Sequence, residues 1–229
     1  MSTRALKKTV QGLLAEDKLE EVARLTEEGE PVLGNLMALT FHSDLSIAWR
    51  AVEAMGLAIQ RLSRRNPTQA LEHVRRLFWL ITEESGGIFW RSPECLAECS
   101  AQNPVFLRDF IPIAFHLVET LEPEDLEHFR PGALWAVGRL ADLADQEHVA
   151  GVLPLVEEAL GEKDPQARGM AVWALGRLGR EDVLQKHRDL TQDTGPVHLY
   201  RDRQVESTTV GDLTRQVLEG EGSPGVVGS

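Results

Sequence analysis

The chain has 229 residues, of which 24 are Lys or Arg and 36 are Asp or Glu, so its formal net charge is −12. That charge disfavours binding to nucleic acids and to anionic membrane surfaces, because both depend on Lys and Arg contacting phosphate groups. With two cysteines, no signal peptide and no apolar stretch of about 18 residues, the sequence predicts a cytoplasmic protein whose core needs neither a disulfide nor a metal.

Residues 1–43 carry a helical periodicity without any repeated motif. Because the terminal units of repeat proteins commonly depart from the consensus, we expect an N-terminal helical cap here.

Internal repetition is clearest in residues 130–140 and 168–178. These segments, RPGALWAVGRL and RGMAVWALGRL, are identical at seven of eleven positions. Alignment on their shared glycine brings out two weaker copies. The four small residues at this position, here called the repeat anchors, are Gly56, Ala97, Gly138 and Gly176. Their spacing of 41, 41 and 38 residues predicts four repeats over residues 44–191.

Each anchor lies on a predicted helix. Small or apolar residues at positions −5, −2, −1 and +2 from the anchor fall within an arc of about 100° on a helical wheel. Small residues on that face would allow a second helix to approach closely. The intervening segments would supply the second helices: 68–83, 104–120, 151–161 and 181–191. Prolines typical of a first helical turn support helix starts at five places: Pro67, Pro93, Pro104, Pro123 and Pro165.

The pattern R-x-x-A-x-x-A-[LV]-G-R-L in the last two units resembles the HEAT-like repeat named after phycobilisome lyases. The resemblance is specific in units three and four, and weaker in units one and two. It implies an all-α fold, namely a HEAT-like or armadillo-type α-α superhelix (solenoid).

A Gly-Gly pair interrupts the helical pattern between units one and two. The segment contains Glu83, Glu84, Gly86 and Gly87 and ends in Ile88-Phe89-Trp90. It resembles an uncharacterised bacterial HEAT-repeat family with an E-S-G-G-I-x-W stretch followed by Pro-Glu. A helix C-cap with a hydrophobic contact to the next repeat would explain it, and a ligand-binding loop is the alternative.

The C-terminal residues 192–219 change character. Val197–Tyr200 and Gln204–Ser207 predict a small β-hairpin, although its turn contains no glycine. Thr209 and Asp212 have the spacing of a capping box that opens a final helix. Residues 220–229 predict a disordered tail.

One arginine per unit projects from the same helical face: Arg50, Arg91, Arg139 and Arg177. Tryptophans border that face: Trp49, Trp90, Trp135 and Trp173. Such a face would suit carboxylate-bearing or extended peptide partners, through bidentate pairing and stacking. Alternatively, the tryptophans fill gaps between repeats and the arginines pair locally. Local pairs of this kind would be Arg50 with Glu53 and Arg91 with Glu94.

Other candidate sites favour ordinary structural roles. Cys95 and Cys99 occupy helix positions that hold Ala or Leu in other units, which indicates core packing. Three histidines follow glutamates, at positions 73, 128 and 148, but their registers differ between repeats, which favours surface or capping roles. We therefore predict no catalytic residue, no metal and no cofactor.

Two segments concentrate charge of opposite sign. Residues 61–76 contain five Arg and one Glu, whereas residues 142–164 contain seven acids and one Lys. Solvated helix ends explain both, and pairing of the two segments between subunits is the alternative.

These features predict a non-catalytic scaffold that binds a protein or peptide along the Arg/Trp face. The alternative, implied by the resemblance, is a phycobilin-lyase-related protein acting on a tetrapyrrole-protein adduct. A third possibility, DNA binding as in HEAT-like glycosylases, is disfavoured by the net charge of −12.

Overall fold

The computed structural model describes residues 2–81, 91–120 and 123–220. Within these residues the chain is mainly helical, with one two-stranded antiparallel hairpin near the C-terminus. The predicted fold class, helical repeats followed by a hairpin and a helix, is confirmed. The chain divides into two compact units. The first contains Met1–Ile111 and Tyr200–Val205, and the second contains Pro112–Leu199 and Glu206–Ser229.

The first unit is built around one long helix. Its helices are α1 (Thr3–Ala15), α2 (Leu19–Glu27), α3 (Val32–Leu39), α4 (Leu45–Arg65), α5 (Pro67–Trp79) and α6 (Ser92–Gln102). Helix α4 packs against α1, α2, α3, α5 and α6. Its N-terminus is capped by Asp44, whose carboxylate accepts hydrogen bonds from the amides of Ser46 and Ile47. Asn66 caps α5, with Pro67 in the first turn as predicted.

The first repeat anchor lies where α4 meets α6. A Cβ atom added to Gly56 would lie 2.8 Å from the carbonyl oxygen of Glu98. The Asn103 side-chain amide donates to the Gly56 carbonyl at 3.2 Å. Glycine is therefore needed here because the backbones of the two helices approach too closely for any side chain.

Two predicted helices are broken into shorter pieces. Residues 104–120 form a 3₁₀ turn (Arg108–Phe110), α7 (Ile111–Phe115) and α8 (Leu117–Thr120), so no helix begins at Pro104. Pro112 lacks an amide hydrogen and cannot continue a helix from the preceding turn, so the helix restarts beside it. Residues 181–191 likewise divide into α12 (Glu181–Leu184) and the 3₁₀ turn Arg188–Gln192.

The second unit is organised around the fourth repeat. Its longer helices are α9 (Pro123–Leu140), α10 (Gln146–Glu158), α11 (Pro165–Arg177) and α13 (Val210–Leu218). Helix α11 packs against all three others and against α12. A Cβ atom on Gly138 would lie 2.5 Å from the Trp173 ring, and one on Gly176 would lie 2.8 Å from a Val217 methyl group. Both anchors thus mark helix contacts, as the sequence predicted.

The hairpin consists of β1 (Pro196–Arg201) and β2 (Gln204–Thr209). Asp202 and Arg203 have φ angles of 50° and 61°, the left-handed values that a type I′ turn requires, here without glycine. The Thr209 hydroxyl oxygen caps α13 by accepting from the Asp212 amide at 3.1 Å, as the predicted capping box requires. The Asp212 carboxylate accepts in return from the Thr209 hydroxyl at 2.6 Å. The predicted tail lies outside the described residues from position 221 onwards.

Candidate functional site

Three tryptophans of the predicted face are described by the structure, and all three are packed inside the units. Trp49, Trp135 and Trp173 are 5%, 2% and 9% exposed. The rings of Trp135 and Trp173 stack with centroids 6.0 Å apart, so equivalent residues of successive repeats contact each other. Trp90 lies outside the described residues. These contacts support the gap-filling interpretation, while binding of a partner by these side chains stays a prediction.

Two of the four arginines bind the C-terminal end of a preceding helix. Arg50 donates to the carbonyls of Leu14 and Ala15 at 3.0 and 3.1 Å, at the end of α1. Arg177 donates to the Gly138 carbonyl at 3.4 Å, near the end of α9, and to the carboxylate of Asp142 at 2.6 Å. Because helix C-termini present unsatisfied carbonyls, each arginine joins its own helix to the C-terminal end of an earlier one: α4 to α1, and α11 to α9.

Arg91 lies over an aromatic ring. Its guanidinium carbon is 4.5 Å from the centroid of the Trp49 ring, and Nη1 donates to the Glu94 carboxylate at 2.9 Å. The predicted Arg91–Glu94 pair is therefore confirmed. Arg139, the remaining arginine of the set, is half-buried on α9.

The suggested pair between Arg50 and Glu53 is not formed, because Glu53 has other partners. The hydroxyl of Tyr200 donates to its carboxylate at 2.7 Å, and Arg203 Nε donates at 3.0 Å. The Tyr200 ring also stacks on Trp49 with a centroid distance of 5.2 Å. Burial and the Glu53 carboxylate raise the pKa of the Tyr200 hydroxyl far above its ordinary value, so it stays protonated and donates. The hairpin tip is thus bound to α4 within the first unit.

Two further arginines of the repeat motif form ion pairs with acids that lie later in the second unit. The sequence analysis did not select them as site residues. Arg130 and Arg168 occupy the first position of the motif in units three and four. Arg130 forms an ion pair with Glu162, and Arg168 donates from Nε and Nη2 to Asp193 at 2.7 and 3.1 Å. The presence of Arg at the same motif position in both units was the sequence signal that could have identified them. Each reaches forward along the chain, whereas Arg177 reaches back to the preceding repeat.

The two cysteines are buried and unpaired, as the core-packing interpretation predicted. Burial raises the pKa of both thiols, so neither is a ready thiolate nucleophile. Among the described residues, no group of three or more His, Cys, Asp or Glu side chains could hold a metal ion. The side chain of His128 is outside the described set, as is the loop with Glu83, Glu84, Gly86 and Gly87.

The basic segment 61–76 is only partly neutralised within the chain. Arg61 pairs with Glu20 and Glu27 at 3.0 and 3.1 Å. Arg75 and Arg76 are exposed on α5, and their side chains form no ion pair or hydrogen bond within the described part of the chain.

In the acidic segment 142–164, in contrast, most carboxylates have partners within the same unit. Its acids pair with Arg or His side chains or cap helices at five positions: Asp142, Asp145, Glu157, Glu162 and Asp164. Few carboxylates are left for a second subunit, which weakens the alternative of pairing between subunits.

An exposed aromatic side chain adjoins Arg75 and Arg76. Trp79 is 56% exposed and lies four and three residues after them, so the three side chains share one side of α5. We call Arg75, Arg76 and Trp79 the basic face of α5. The sequence pattern indicated only a solvated helix end for the arginines and did not single out Trp79, although its helical spacing was visible.

No described helix has the length and apolar composition that a membrane crossing requires. Residues 127–178 match the HEAT-like repeat family. A protein of Archaeoglobus fulgidus named only "Uncharacterized protein" is 25% identical over 193 residues, covering 84% of this chain and 98% of that protein.

Two solved structures resemble this chain at low sequence identity. A designed armadillo repeat protein, YIII(Dq)4CqI, is 17% identical with a TM-score of 0.48 and coverage of 96% of this chain and 94% of that chain. Another, solved "in complex with peptide (KR)4", is 16% identical with a TM-score of 0.46 and coverage of 94% and 98%. The matched residues 127–178 contain the anchors Gly138 and Gly176 and the contact of α9 with α11, so this segment resembles a HEAT-like repeat.

Proposed function

We propose that this chain is a non-catalytic protein-binding module whose basic face of α5 binds an acidic segment of a partner protein. The observation that carries the proposal is the pair of exposed arginines, Arg75 and Arg76, which form no ion pair with any described residue, including Glu72 one turn earlier on α5.

The chemistry of the basic face fits a carboxylate-bearing partner. A guanidinium group binds a carboxylate through two parallel hydrogen bonds, and Trp79 offers apolar surface beside it. The rest of the chain is strongly acidic and repels an acidic segment. An acidic segment is therefore attracted only where basic side chains cluster, and Arg75 and Arg76 form such a cluster on α5.

The arginines predicted from the repeats are less available for a partner. Arg50, Arg91 and Arg177 already bind carbonyls, carboxylates or a tryptophan ring of this chain. To bind a partner they would have to release those groups and leave helix ends unsatisfied. A variant that lacks these arginines is therefore compared with the variant of the basic face in the experiment below.

The experiment measures fluorescence anisotropy of a labelled peptide of eight glutamates added to the full chain. Replacing Arg75 and Arg76 by Glu should weaken binding by about tenfold or more, equivalent to about 1.4 kcal/mol. The control replaces Lys7 and Lys8 on α1 by Glu, since both are exposed and the net charge changes equally. Equal weakening in both variants would contradict the proposal, because it would reveal only a general effect of net charge.

Two further arms separate the alternatives. A variant with Arg50, Arg91, Arg139 and Arg177 changed to Ala should bind the peptide like the original chain, provided that circular dichroism shows it folded. Greater loss in this variant than in the α5 variant would move the site to the predicted Arg/Trp face. Mixing the chain with a linear tetrapyrrole should give no new visible absorption band, and a stable band would favour the phycobilin-lyase-related alternative.

A further inference from the structure

A cavity of about 460 Å³ opens in the first unit, lined by residues from α2 through α5. Its polar lining consists of Thr26, Glu30, Arg65, Asn66, Gln69 and His73. Glu30 is the only acid among the lining residues, whereas Arg65 supplies a permanent positive charge. Donor groups therefore outnumber carboxylates around this space.

Arg65 is held at the cavity by backbone contacts rather than by an acid. Its Nη1 donates to the Glu27 carbonyl at 3.1 Å, and it forms no ion pair with any described residue. The guanidinium lies against Gly29, where a Cβ atom would be 2.9 Å from Nη1. Gly29 has a φ of 90°, a conformation that favours glycine, and a side chain there would displace the Arg65 guanidinium from this position. The local backbone thus positions the charge while leaving it without a counterion among the described residues.

Thr26 provides a second, independent indication of a ligand. It is only 5% exposed, and its Oγ1 has no hydrogen-bond partner among the described residues. A helical threonine usually satisfies its hydroxyl with a carbonyl of the preceding turn, and an unsatisfied buried hydroxyl is costly. Thr26 lines the cavity, and a group that enters deeply enough to reach its Oγ1 would supply the missing partner.

The N-terminus of α5 also contributes to the lining. Asn66 caps the helix by accepting from the Gln69 amide at 3.1 Å, and both residues line the cavity. The partial positive charge at a helix N-terminus favours anions. His73 lies one turn further along the same helix and adds a ring nitrogen to the lining.

We propose that this cavity binds an oxyanion, a carboxylate or phosphate group, through the Arg65 guanidinium and the Thr26 hydroxyl. The ligand is either a free small anion or the terminal carboxylate of a peptide. The proposal does not depend on the basic face of α5, since none of the residues Arg75, Arg76 and Trp79 lines the cavity.

The test follows backbone amide shifts of Thr26, Gly29 and His73 by NMR while three probes are added to the full chain. The probes are inorganic phosphate, a short peptide with a free C-terminal carboxylate, and the same peptide with a C-terminal amide. Saturable shifts with either oxyanion and none with the amide peptide are expected. Phosphate alone would identify a free anion, and the carboxylate peptide alone would identify a chain terminus.

Four variants locate the site. Thr26→Val and Arg65→Gln should each weaken binding by about tenfold, the size expected for loss of a hydrogen bond to a charged group. Thr26→Ser should bind like the original chain, because serine keeps the hydroxyl group. Arg64→Gln, at an exposed neighbouring position outside the lining, should bind like the original chain. Non-saturable shifts, or equal weakening by Arg64→Gln and Arg65→Gln, would overturn the proposal.

Discussion

Trp49 in the first unit and Trp135 in the second border the same predicted face, yet they pack against different kinds of neighbour. Trp135 stacks on Trp173, the equivalent residue of the next repeat. Trp49 stacks on Tyr200, from a hairpin that is not part of any repeat, and also lies beneath Arg91. In the second unit the motif supplies its own partner, whereas in the first unit a distant segment replaces it. The repeat motif therefore places a tryptophan at this position in both units, whereas the residue that packs against it comes from a later segment of the chain.

The largest expected effect is loss of the tryptophan stack in the second unit. Trp135→Ala should lower the free energy of unfolding by about 3–5 kcal/mol, because a large, fully packed ring is replaced by a cavity. Denaturant unfolding followed by circular dichroism measures the change. Trp79→Ala is the control, since that ring is 56% exposed and its loss should cost far less. Similar losses in both variants would show that stacking between repeats is not what stabilises this unit.

The next effect concerns the corresponding contact in the first unit. Glu53→Gln should cost about 2 kcal/mol, because its carboxylate accepts charge-assisted hydrogen bonds from Arg203 and Tyr200. Glu72→Gln on α5 is the matched control, at an exposed glutamate. Hydrogen exchange at Tyr200–Val205 should rise only in the Glu53 variant. Unchanged exchange there would show that stacking on Trp49 holds the hairpin tip without the carboxylate.

A smaller effect should result from filling a repeat anchor. Gly56→Ala should destabilise by about 1–2 kcal/mol, since its methyl group would meet the Glu98 backbone at 2.8 Å. Gly12→Ala should instead stabilise by about 0.5–1 kcal/mol, because no atom lies within 4 Å of the added methyl group and helical alanine loses less entropy on folding. Thermal unfolding of the two variants distinguishes the cases. If both variants changed the unfolding temperature in the same direction, the backbones of α4 and α6 would not be too close for a methyl group at position 56.

The smallest effect is a pH dependence in the second unit. Hydrogen bonds from Arg168 lower the pKa of Asp193 below its ordinary value of about 3.9, so the ionised form is favoured by folding. The resulting stabilisation is present above the unfolded-state pKa and is lost as the pH falls through the lower folded-state value. Asp193→Asn should therefore cost about 1 kcal/mol at pH 7. The difference from the original chain should shrink below about pH 4. A difference that stays constant from about pH 7 to about pH 3 would contradict this assignment.

Much of the fold could be predicted because its signals are local. The cap at Asn66-Pro67 and the cap at Thr209 each depend on residues within one turn, and the anchors Gly138 and Gly176 are visible because the motif is repeated. The broken helix after Pro104 was missed because the repeat spacing predicted one second helix over residues 104–120, whereas the chain starts a new helix beside Pro112.

The candidate sites were harder to predict because they depend on pairs of residues far apart in sequence. Arg50 was assigned a neighbour on its own helix, but it binds Leu14 and Ala15 on α1. Glu53 pairs with Tyr200 and Arg203, which lie 147 and 150 positions further along the chain. Helical spacing cannot reveal such partners, since it describes only residues three or four positions apart.

The sequence by itself determined the repeats, the helix contacts at the glycine anchors and the strongly acidic character of the chain. Those properties depend on periodicity, residue size and charge, which need no knowledge of distant neighbours. Only the tertiary structure decided which arginines bind helix ends and which, like Arg75 and Arg76, stay exposed. It also decided that Thr26 and Arg65 line one cavity, because α2 and α4 meet only when the chain is folded.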